Sequence, residues 1–346
     1  MNDQQDDQIL IHSVASQHLG PAFTSQRIGG GRNSSVFRLS SNDSRSVILK
    51  RYYNTETDPR DRLATEFSAL QFMQSFSVHC VPRPIFCDKR KGYAIYEFIQ
   101  GKRPQISEIE RSDINQCFEF VKILDGLKTS DQARLISDAS EACYSLCKLA
   151  DNIGRRLASL QSVSKSNPAL HDFLTREYLP VHDSLIKHQS KILEKAGINP
   201  SDEIPLAERT LSPSDFGFHN SIRSGSRLYF MDFEYFGWDD PVKLISDFLL
   251  HPAEEMGFSE ELKKLFSHRF FAYFGEKLLF RFTVLYPLYG LKWSLILLNE
   301  FLPENLKRRE LALGIPIDKQ ALRDQQLKKA RSMLNKTMGA IHEIRI

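Results

Sequence analysis

The sequence predicts an α+β protein with a small, strand-rich N-terminal lobe and a larger, mainly helical C-terminal lobe. Short segments of alternating apolar and polar residues, bounded by glycine or polar turns, recur between residues 26 and 101, which is typical of antiparallel strands. From residue 107 to about residue 196, apolar residues recur at helical spacing instead. The chain has 346 residues, of which 41% are hydrophobic, and this is enough to build two lobes with buried cores. We therefore predict lobes of residues 1–101 and 102–346.

Composition argues against several classes of protein. The net charge of +3 and the pI near 8.5 are too mild to predict a nucleic-acid-binding protein. The five cysteines lack the paired spacings of a zinc site. The N-terminal sequence MNDQQDDQIL is acidic and polar, unlike a secretory signal. We therefore expect a cytoplasmic protein with no nucleic-acid partner.

The most apolar segment, residues 278–302, predicts buried helices. It contains Arg281, Pro287 and Lys292, so it never reaches the roughly 18 uncharged residues that a membrane span needs. We interpret it as two core helices broken at the sequence YPLYG, and we expect no membrane span. The amphipathic tail, residues 318–346, predicts a final helix that packs on the C-terminal lobe or, alternatively, on a partner.

The N-terminal lobe contains a glycine-rich hairpin. The segment QRIGGGRNSSVFRL passes through three glycines into an alternating stretch, and SVILKRYY follows a polar turn. This pattern predicts antiparallel strands with a glycine-rich loop at one end. Lys50 ends the apolar run VIL next to that loop, where its ammonium can reach a bound phosphate. An ordinary tight turn and an edge lysine are the alternatives.

A helix and a further strand complete the pattern in this lobe. In RLATEFSALQFMQ the apolar residues recur at helical spacing, and Glu66 lies one step from the apolar stripe. Glu66 can therefore turn towards Lys50, or it can remain a solvated helix glutamate. The segment GYAIYEFIQG predicts a strand that ends at a glycine, which is a candidate junction between the lobes.

Two acidic segments lie close together in the C-terminal lobe. LSPSDFGFHN contains Asp215 and Asn220, and MDFEYFGWDDP contains Asp232. The intervening segment predicts two short strands around the turn RSGSR. Such a hairpin would return Asp232 to the neighbourhood of Asn220.

Taken in order, these features resemble the aminoglycoside phosphotransferase and choline kinase superfamily. Its members share the two-lobe, protein-kinase-like fold and transfer the γ-phosphoryl group of ATP to hydroxyl groups of small molecules. The resemblance spans about residues 25–250, and its most specific part is D-x4-N followed by the D-F-E and DP-x5-D segments. The glycine-rich loop is its least specific part.

The resemblance implies a role for each matching residue. Asp215 would be the catalytic aspartate that accepts or orients the proton of the attacking hydroxyl, and Asn220 and Asp232 would bind Mg²⁺. Lys50 would bind the α- and β-phosphates, with Glu66 as its partner. Further nucleotide contacts are implied in the glycine-rich loop and in the YEFI segment that would carry the adenine: Gly30, Gly31, Asn33, Ser34, Glu97 and Ile99.

The chemistry of phosphoryl transfer requires the same residue types. Charge spreads over non-bridging oxygens in a loose transition state, so positioning and cations provide most of the catalysis. Mg²⁺ prefers oxygen ligands and keeps several waters, which suits one aspartate and one asparagine. A base that directs the hydroxyl contributes roughly 10²- to 10⁴-fold. The expected cofactors are therefore ATP and Mg²⁺, and the expected partner is a small-molecule hydroxyl acceptor.

Departures from the superfamily pattern leave alternatives open. Pro213 and Ser214 replace the His-Gly pair that usually precedes the catalytic aspartate, which allows a catalytically weak, nucleotide-binding pseudokinase or scaffold. Glu234 stands where protein kinases have glycine, and no activation segment is recognisable after it, so a protein kinase is disfavoured. Glu234 could approach a second Mg²⁺ or be structural.

Asp247 and His219 lie close to the predicted catalytic and metal-binding residues in the sequence. Asp247 is at the position that would brace the catalytic loop in the superfamily. His219, directly before Asn220, is interpreted as an ordinary loop imidazole, with metal binding as the alternative. The acceptor stays open among aminoglycosides, amino alcohols and sugars, with a slight preference for a neutral hydroxyl compound.

Overall fold

The computed structural model describes residues 2–30, 33–53, 60–313 and 317–343. The chain forms two structural units, and each unit combines separate stretches of sequence. Unit 1 comprises Met1–Lys102, Ile222–Tyr235 and Pro303–Asp318. Unit 2 comprises Arg103–Ser221, Phe236–Leu302 and Lys319–Ile346. The assignment of nucleotide binding to residues 1–101 and of acceptor binding to residues 102–346 stays a prediction.

Helices and strands alternate early in the chain, and helices dominate later. The helices are α1 (Asn2–His18), α2 (Arg62–Ser75), α3 (Arg111–Leu127), α4 (Leu146–Ser164), α5 (Pro168–Asp172), α6 (Leu179–Lys195), α7 (Pro241–Leu250), α8 (Glu260–Phe274), α9 (Lys277–Ile296), α10 (Pro303–Leu313) and α11 (Lys319–Glu343). The strands are β1 (Phe23–Gly30), β2 (Ser34–Ser41), β3 (Ser46–Tyr52), β4 (Pro84–Asp88), β5 (Tyr93–Glu97), β6 (Thr210–Ser212), β7 (Ser221–Ser224), β8 (Arg227–Phe230) and β9 (Gly237–Asp239). The predicted α+β class is confirmed.

Unit 1 contains a five-stranded antiparallel sheet in the order β1-β2-β3-β5-β4. Lys50 lies in β3, the central strand, where it pairs with Val36 on one side and Ala94 on the other. Gly30, at the end of β1, pairs with Ser35 after a shift in register, as glycine permits at an irregular strand end. Gly31 lies outside the described residues.

The two faces of this sheet carry different helices. Buried residues of α1 join Leu49 and Ile95 in one hydrophobic cluster. Because side chains alternate along a strand, Lys50 and Tyr96 lie on the opposite face. Helix α2 packs there, with its Phe67 ring 6.2 Å from the ring of Tyr96. The sheet therefore directs Lys50 towards α2.

Helix α10 also belongs to unit 1, although it comes late in the sequence. It packs against β1 and β2. Arg27 donates a hydrogen bond to the carbonyl oxygen of Ala312, and the Ser35 hydroxyl lies 3.3 Å from the same oxygen. The hairpin is thus attached to α10 close to its glycine-rich loop.

Unit 2 is built around α9. This helix contacts α4, α6, α7, α8 and α11. The prediction of two helices broken at YPLYG was wrong, because a single helix continues through Pro287. Proline removes one backbone hydrogen bond and strains the preceding turn, but residues 284–288 are all buried. Tertiary packing therefore offsets the local cost of Pro287.

Two short β pairs lie near the acidic segments. Strand β6 pairs with β9 in unit 2, and β7 pairs with β8 across the predicted turn, where Gly225 has a positive φ of 59°. In the part of the chain that the structure describes, no helix combines the length and the apolar character needed to cross a membrane.

Candidate functional site

A buried cluster of charged side chains surrounds Lys50 in unit 1. Lys50 Nζ donates hydrogen bonds to Glu66 Oε2 and to Asp232 Oδ1, each 2.6 Å long. Glu234 Oε2 lies 3.9 Å from the same nitrogen. Glu66 therefore turns inwards from α2 towards Lys50. The alternative, a solvated helix glutamate, was wrong, because Glu66 is buried.

Two tyrosines fix the carboxylate of Glu66. The Tyr52 hydroxyl donates to Glu66 Oε2 over 2.7 Å. The hydroxyls of Tyr52 and Tyr96 are also 2.7 Å apart. Because these residues are buried, Lys50 and Glu66 are held in one orientation by neighbouring strands and by α2.

The segment after β8 brings two more carboxylates into the cluster. Asp232 has a φ of 67°, a left-handed conformation that is uncommon for residues other than glycine and often occurs at functional positions. Asn33 Nδ2 donates to Glu234 Oε1 over 2.5 Å and to the Tyr235 hydroxyl over 2.7 Å. The amide of Asn33 therefore holds the glycine-rich hairpin to this segment.

Among the described residues, three carboxylates surround the ammonium of Lys50. Burial alone would lower the pKa of Lys50, but Asp232, Glu66 and Glu234 raise it well above its ordinary value. Burial also raises the pKa of Glu66, although Lys50 opposes this. Burial and Asp232 raise the pKa of Glu234 to about 7, even with Arg62 Nε 3.7 Å from its carboxylate. Buried carboxylates with raised pKa values favour the binding of a cation, because a nearby positive charge stabilises their ionised form.

The donor atoms fit a hard divalent cation. Carboxylate oxygens of Glu66, Asp232 and Glu234 all lie within 4.8 Å of one another. Mg²⁺ and Ca²⁺ prefer such oxygen ligands. Asp232 is the most exposed carboxylate of the three, so it is the one that can share a metal with a bound phosphate.

The remaining predicted nucleotide contacts have other neighbours in unit 1. Ser34 and Ile99 are buried. The Glu97 carboxylate accepts hydrogen bonds from the backbone and side-chain nitrogens of Arg83, 3.1 and 3.2 Å away. A role for these residues in nucleotide binding stays a prediction.

In unit 2, two histidines hold Asp215. Asp215 Oδ1 lies 3.0 Å from His219 Nε2 and 3.2 Å from His251 Nε2. The two imidazole rings are stacked, with centroids 3.7 Å apart and an interplanar angle of 7°. The Asp215 side chain is still 32% exposed, so it can contact a ligand while it stays in contact with both histidines.

The histidines also determine the charge state of Asp215. Burial would raise its pKa, but His219 and His251 lower it well below the ordinary value. Burial and the neighbouring His219 lower the pKa of His251, against the opposing effect of Asp215. Asp215 is therefore an ionised carboxylate, and His251 is a neutral imidazole, at neutral pH.

This arrangement does not fit a metal ion bound by both rings. Two imidazoles and one carboxylate have the composition of a transition-metal site, and their ligand atoms lie within 4.8 Å of one another. However, an imidazole nitrogen binds a metal in the plane of its ring. Because the rings of His219 and His251 are nearly parallel and stacked, no single position lies in both planes.

A buried lysine supports the residue before Asp215. Lys243 Nζ donates to Ser214 Oγ over 2.8 Å and to Asp239 Oδ2 over 2.7 Å, and it lies 3.2 Å from Asp247 Oδ2. Ser214 has a φ of 66°. Pro213 and Ser214 replace the His-Gly pair at this position, and here the loop is held by Lys243. The Lys243 ammonium contacts both Ser214 and Asp247, so it links Asp247 to the loop.

Asn220 is also oriented by the loop. Its Nδ2 donates to the carbonyl oxygen of Asp215 over 3.0 Å, which leaves the amide oxygen, the atom type that Mg²⁺ takes. Asn220 belongs to unit 2 and Asp232 to unit 1. Their joint binding of Mg²⁺ stays a prediction.

Two residues around Asp215 were missed in the sequence. Lys243 lies four residues before Asp247 within α7, and this i, i+4 spacing on one helix face is a signal that predicts an ion pair. His251 follows the apolar helix α7 and precedes a proline. Nothing local distinguishes it from an ordinary residue at a helix end.

Comparisons with known proteins identify the fold. A choline kinase from Streptococcus pneumoniae superposes with a TM-score of 0.59 at 14% identity, covering 95% of this chain and 99% of that one. The chain has the same protein-kinase-like fold. An ethanolamine kinase from Plasmodium vivax has a TM-score of 0.58 at 14% identity, covering 88% and 85%. The predicted resemblance is thereby confirmed at the level of the fold.

A third structure was solved with ligands. A spectinomycin phosphotransferase in complex with ADP and spectinomycin has a TM-score of 0.58 at 14% identity, covering 94% of this chain and 98% of that one. No protein-family model matches the sequence, and a comparison with curated proteins finds no match.

Proposed function

We propose that this protein is a phosphotransferase that moves the γ-phosphoryl group of ATP to a hydroxyl group of a small molecule, with Mg²⁺ as cofactor. One observation carries the proposal: the buried ammonium of Lys50 is hydrogen-bonded to both Glu66 and Asp232. A lysine held in this way offers a fixed positive charge to phosphate oxygens. The fold shared with small-molecule kinases supports the same conclusion.

The nucleotide-binding role falls to the residues of unit 1. Lys50 would neutralise phosphate oxygens, and Glu66 would keep its ammonium in place. Asp232 from unit 1 and Asn220 from unit 2 would hold Mg²⁺, which when bound neutralises charge on the phosphates. The raised pKa values of Glu66 and Glu234 beside Lys50 are consistent with a site that binds this cation.

Asp215 would orient the acceptor hydroxyl. Its two histidine neighbours keep it ionised, so it can always accept a hydrogen bond from the hydroxyl. The same stabilisation makes it a weak base. That suits a loose transition state, in which the hydroxyl loses its proton late and direction matters more than early deprotonation.

For the acceptor we propose a set of compound classes and no single compound. The solved structures of similar fold include a choline kinase, an ethanolamine kinase and a spectinomycin phosphotransferase. The compounds to test are the three classes that the sequence left open, namely amino alcohols, aminoglycosides and sugars. A slight preference for neutral hydroxyl acceptors comes from the sequence, which has no dense acidic insertion for a cationic substrate.

The proposal is tested by measuring ADP release from ATP and Mg²⁺ against a panel of these three classes. We expect turnover with one class, loss of turnover when Mg²⁺ is chelated, and a phosphorylated hydroxyl in the product by mass spectrometry. Binding of ADP without turnover on any acceptor would favour a nucleotide-binding pseudokinase. Absence of nucleotide binding would contradict the proposal altogether.

A further inference from the structure

We propose that His219 and His251 are positioning residues that hold one carboxylate oxygen of Asp215 with two N–H donors and leave its other oxygen for the acceptor hydroxyl. This inference rests on the proposed function, because it assigns the way in which Asp215 is aimed. It concerns contacts within unit 2 only. Neither histidine belongs to the motif residues from which the catalytic role of Asp215 was predicted.

The tautomer of His251 follows from its second nitrogen. His251 Nδ1 accepts a hydrogen bond from the backbone nitrogen of Ala253 over 3.2 Å. A ring nitrogen that accepts carries no hydrogen, so in neutral imidazole the hydrogen is on Nε2. His251 Nε2 therefore donates to Asp215 Oδ1, 3.2 Å away.

A different observation places a hydrogen on Nε2 of His219. Its Nδ1 is buried and has no hydrogen-bond partner in the part of the chain that the structure describes. A hydrogen on Nδ1 would be a buried, unsatisfied donor, which is costly, so a tautomer with its hydrogen on Nδ1 alone is disfavoured. Nε2 therefore carries a hydrogen, and this nitrogen lies 3.0 Å from Asp215 Oδ1.

The orientation of the pair is fixed from outside the loop. Trp293 on α9 meets the His251 ring edge to face, with centroids 4.9 Å apart and an angle of 83°. Trp293 Nε1 in turn donates to Asp247 Oδ1 on α7 over 2.8 Å. The direction of Asp215 is thereby tied to two core helices as well as to its own loop.

The arrangement leaves one oxygen of Asp215 available. Both donors meet Oδ1, and within the described residues of unit 2 no hydrogen bond to Oδ2 is present. A carboxylate held by two donors on one oxygen cannot rotate freely about its side-chain bond. Its second oxygen then keeps a constant direction for a hydroxyl, and a displacement of about 1 Å at such a position can cost on the order of 10²-fold in rate.

Two substitutions at His251 separate the donor from the ring. His251→Gln retains an N–H donor at about the distance of Nε2, whereas His251→Phe retains an aromatic ring against His219 and Trp293 but removes the donor. We expect His251→Phe to lower kcat by about 10- to 100-fold, with unchanged KM for ATP and unchanged affinity for ADP. His251→Gln should recover most of the lost turnover. His188→Phe, at an exposed histidine of α6, is the matched control.

Equal losses of kcat in the Gln and Phe variants would overturn the inference, because the ring and not the donor would then matter. A loss confined to KM would overturn it as well. Histidine-selective ¹⁵N NMR of the wild-type protein tests the two tautomers independently of turnover. His251 should be neutral with its hydrogen on Nε2, and His219 should carry a hydrogen on Nε2. A charged His251, or a tautomer of either ring with hydrogen on Nδ1 alone, would contradict the proposal. The NMR measurement does not require turnover. If no acceptor is turned over, the proposed function is refuted, but the tautomers can still be tested.

Discussion

The ammonium of Lys243 donates a hydrogen bond of 2.8 Å to the hydroxyl of Ser214, the residue directly before Asp215. Burial would lower the pKa of Lys243, but Asp239 and Asp247 raise it well above its ordinary value. Burial raises the pKa of Asp239 to about 6, although Lys243 opposes this. One buried cation is therefore shared by the carboxylates of Asp239 and Asp247 and by the loop that carries Asp215.

The first prediction concerns the loss of that cation. Lys243→Met removes the ammonium that faces the buried carboxylates of Asp239 and Asp247, and removing one member of a buried ion pair costs about 3–5 kcal/mol. We expect a loss of this size in the free energy of unfolding, measured in urea. Ser214→Ala, which removes only the hydroxyl, should cost about 1 kcal/mol. Equal stability of Lys243→Met and wild type would refute the role of Lys243 as a buried support.

The second prediction concerns Lys50. Lys50→Met removes the ammonium that Glu66 and Asp232 hold, so bound phosphates lose a charge-assisted hydrogen bond of about 1.5–3 kcal/mol. Affinity for ADP with Mg²⁺ should fall by about 10- to 100-fold in isothermal titration calorimetry. Lys187→Met, at an exposed lysine of α6, is the control and should bind as wild type does. Unchanged binding by Lys50→Met would show that the nucleotide phosphates lie elsewhere.

The third prediction is a pH dependence of stability. The pKa of His251 is lowered in the folded protein by burial and by His219, with Asp215 and Asp247 acting in the opposite direction. In the unfolded chain it returns to about 6.5. A histidine with a lowered pKa contributes stability above its unfolded pKa and loses that contribution as the pH falls through the folded pKa.

Wild-type protein should therefore lose more stability between about pH 7 and about pH 5 than His251→Gln does. Thermal unfolding at both pH values measures the difference. A variant that is as sensitive to acid as wild type would indicate that the pKa of His251 is the same in the folded and unfolded states.

The fourth prediction concerns the contact between α9 and α11. A Cβ atom at Gly290 would lie 2.2 Å from Thr337 Oγ1, so Gly290→Ala forces the helices apart and should cost about 1–3 kcal/mol. Thr337→Ala in the same chain should restore part of the loss. Gly154→Ala is the control, because nothing lies within 4 Å of its added Cβ, and alanine should stabilise α4 there by about 0.5–1 kcal/mol. If both glycine variants gain stability, the helices do not approach as closely as described.

The cluster around Lys50 could be predicted because its parts have local signals. Strand alternation placed Lys50 at the end of an apolar run, and helical periodicity placed Glu66 beside the apolar stripe of α2. These elements follow one another in the sequence, and their contact requires only that the helix pack on the adjacent strand. The fold class could be predicted for the same reason, since strand patterns recur between residues 26 and 101 and helical patterns dominate from residue 107 to about residue 196.

The support of Asp215 could not be predicted in the same way. His251 reaches Asp215 from the far end of α7, and its role depends on stacking with His219 and on Trp293 of α9. Such contacts arise from tertiary packing and leave no periodic signal. Pro287 illustrates the opposite case, in which a strong local signal for a helix break was overridden by burial on several neighbouring helices.

The central claim is tested most directly by comparing Asp215→Asn with wild type on an acceptor that wild type phosphorylates. The substitution preserves the shape of the side chain and removes the carboxylate that would receive the hydroxyl proton. We predict that kcat falls by about 10²- to 10⁴-fold, while calorimetry shows unchanged affinity for ADP with Mg²⁺. Turnover by Asp215→Asn at the wild-type rate would contradict the assignment of Asp215 as the residue that directs the acceptor.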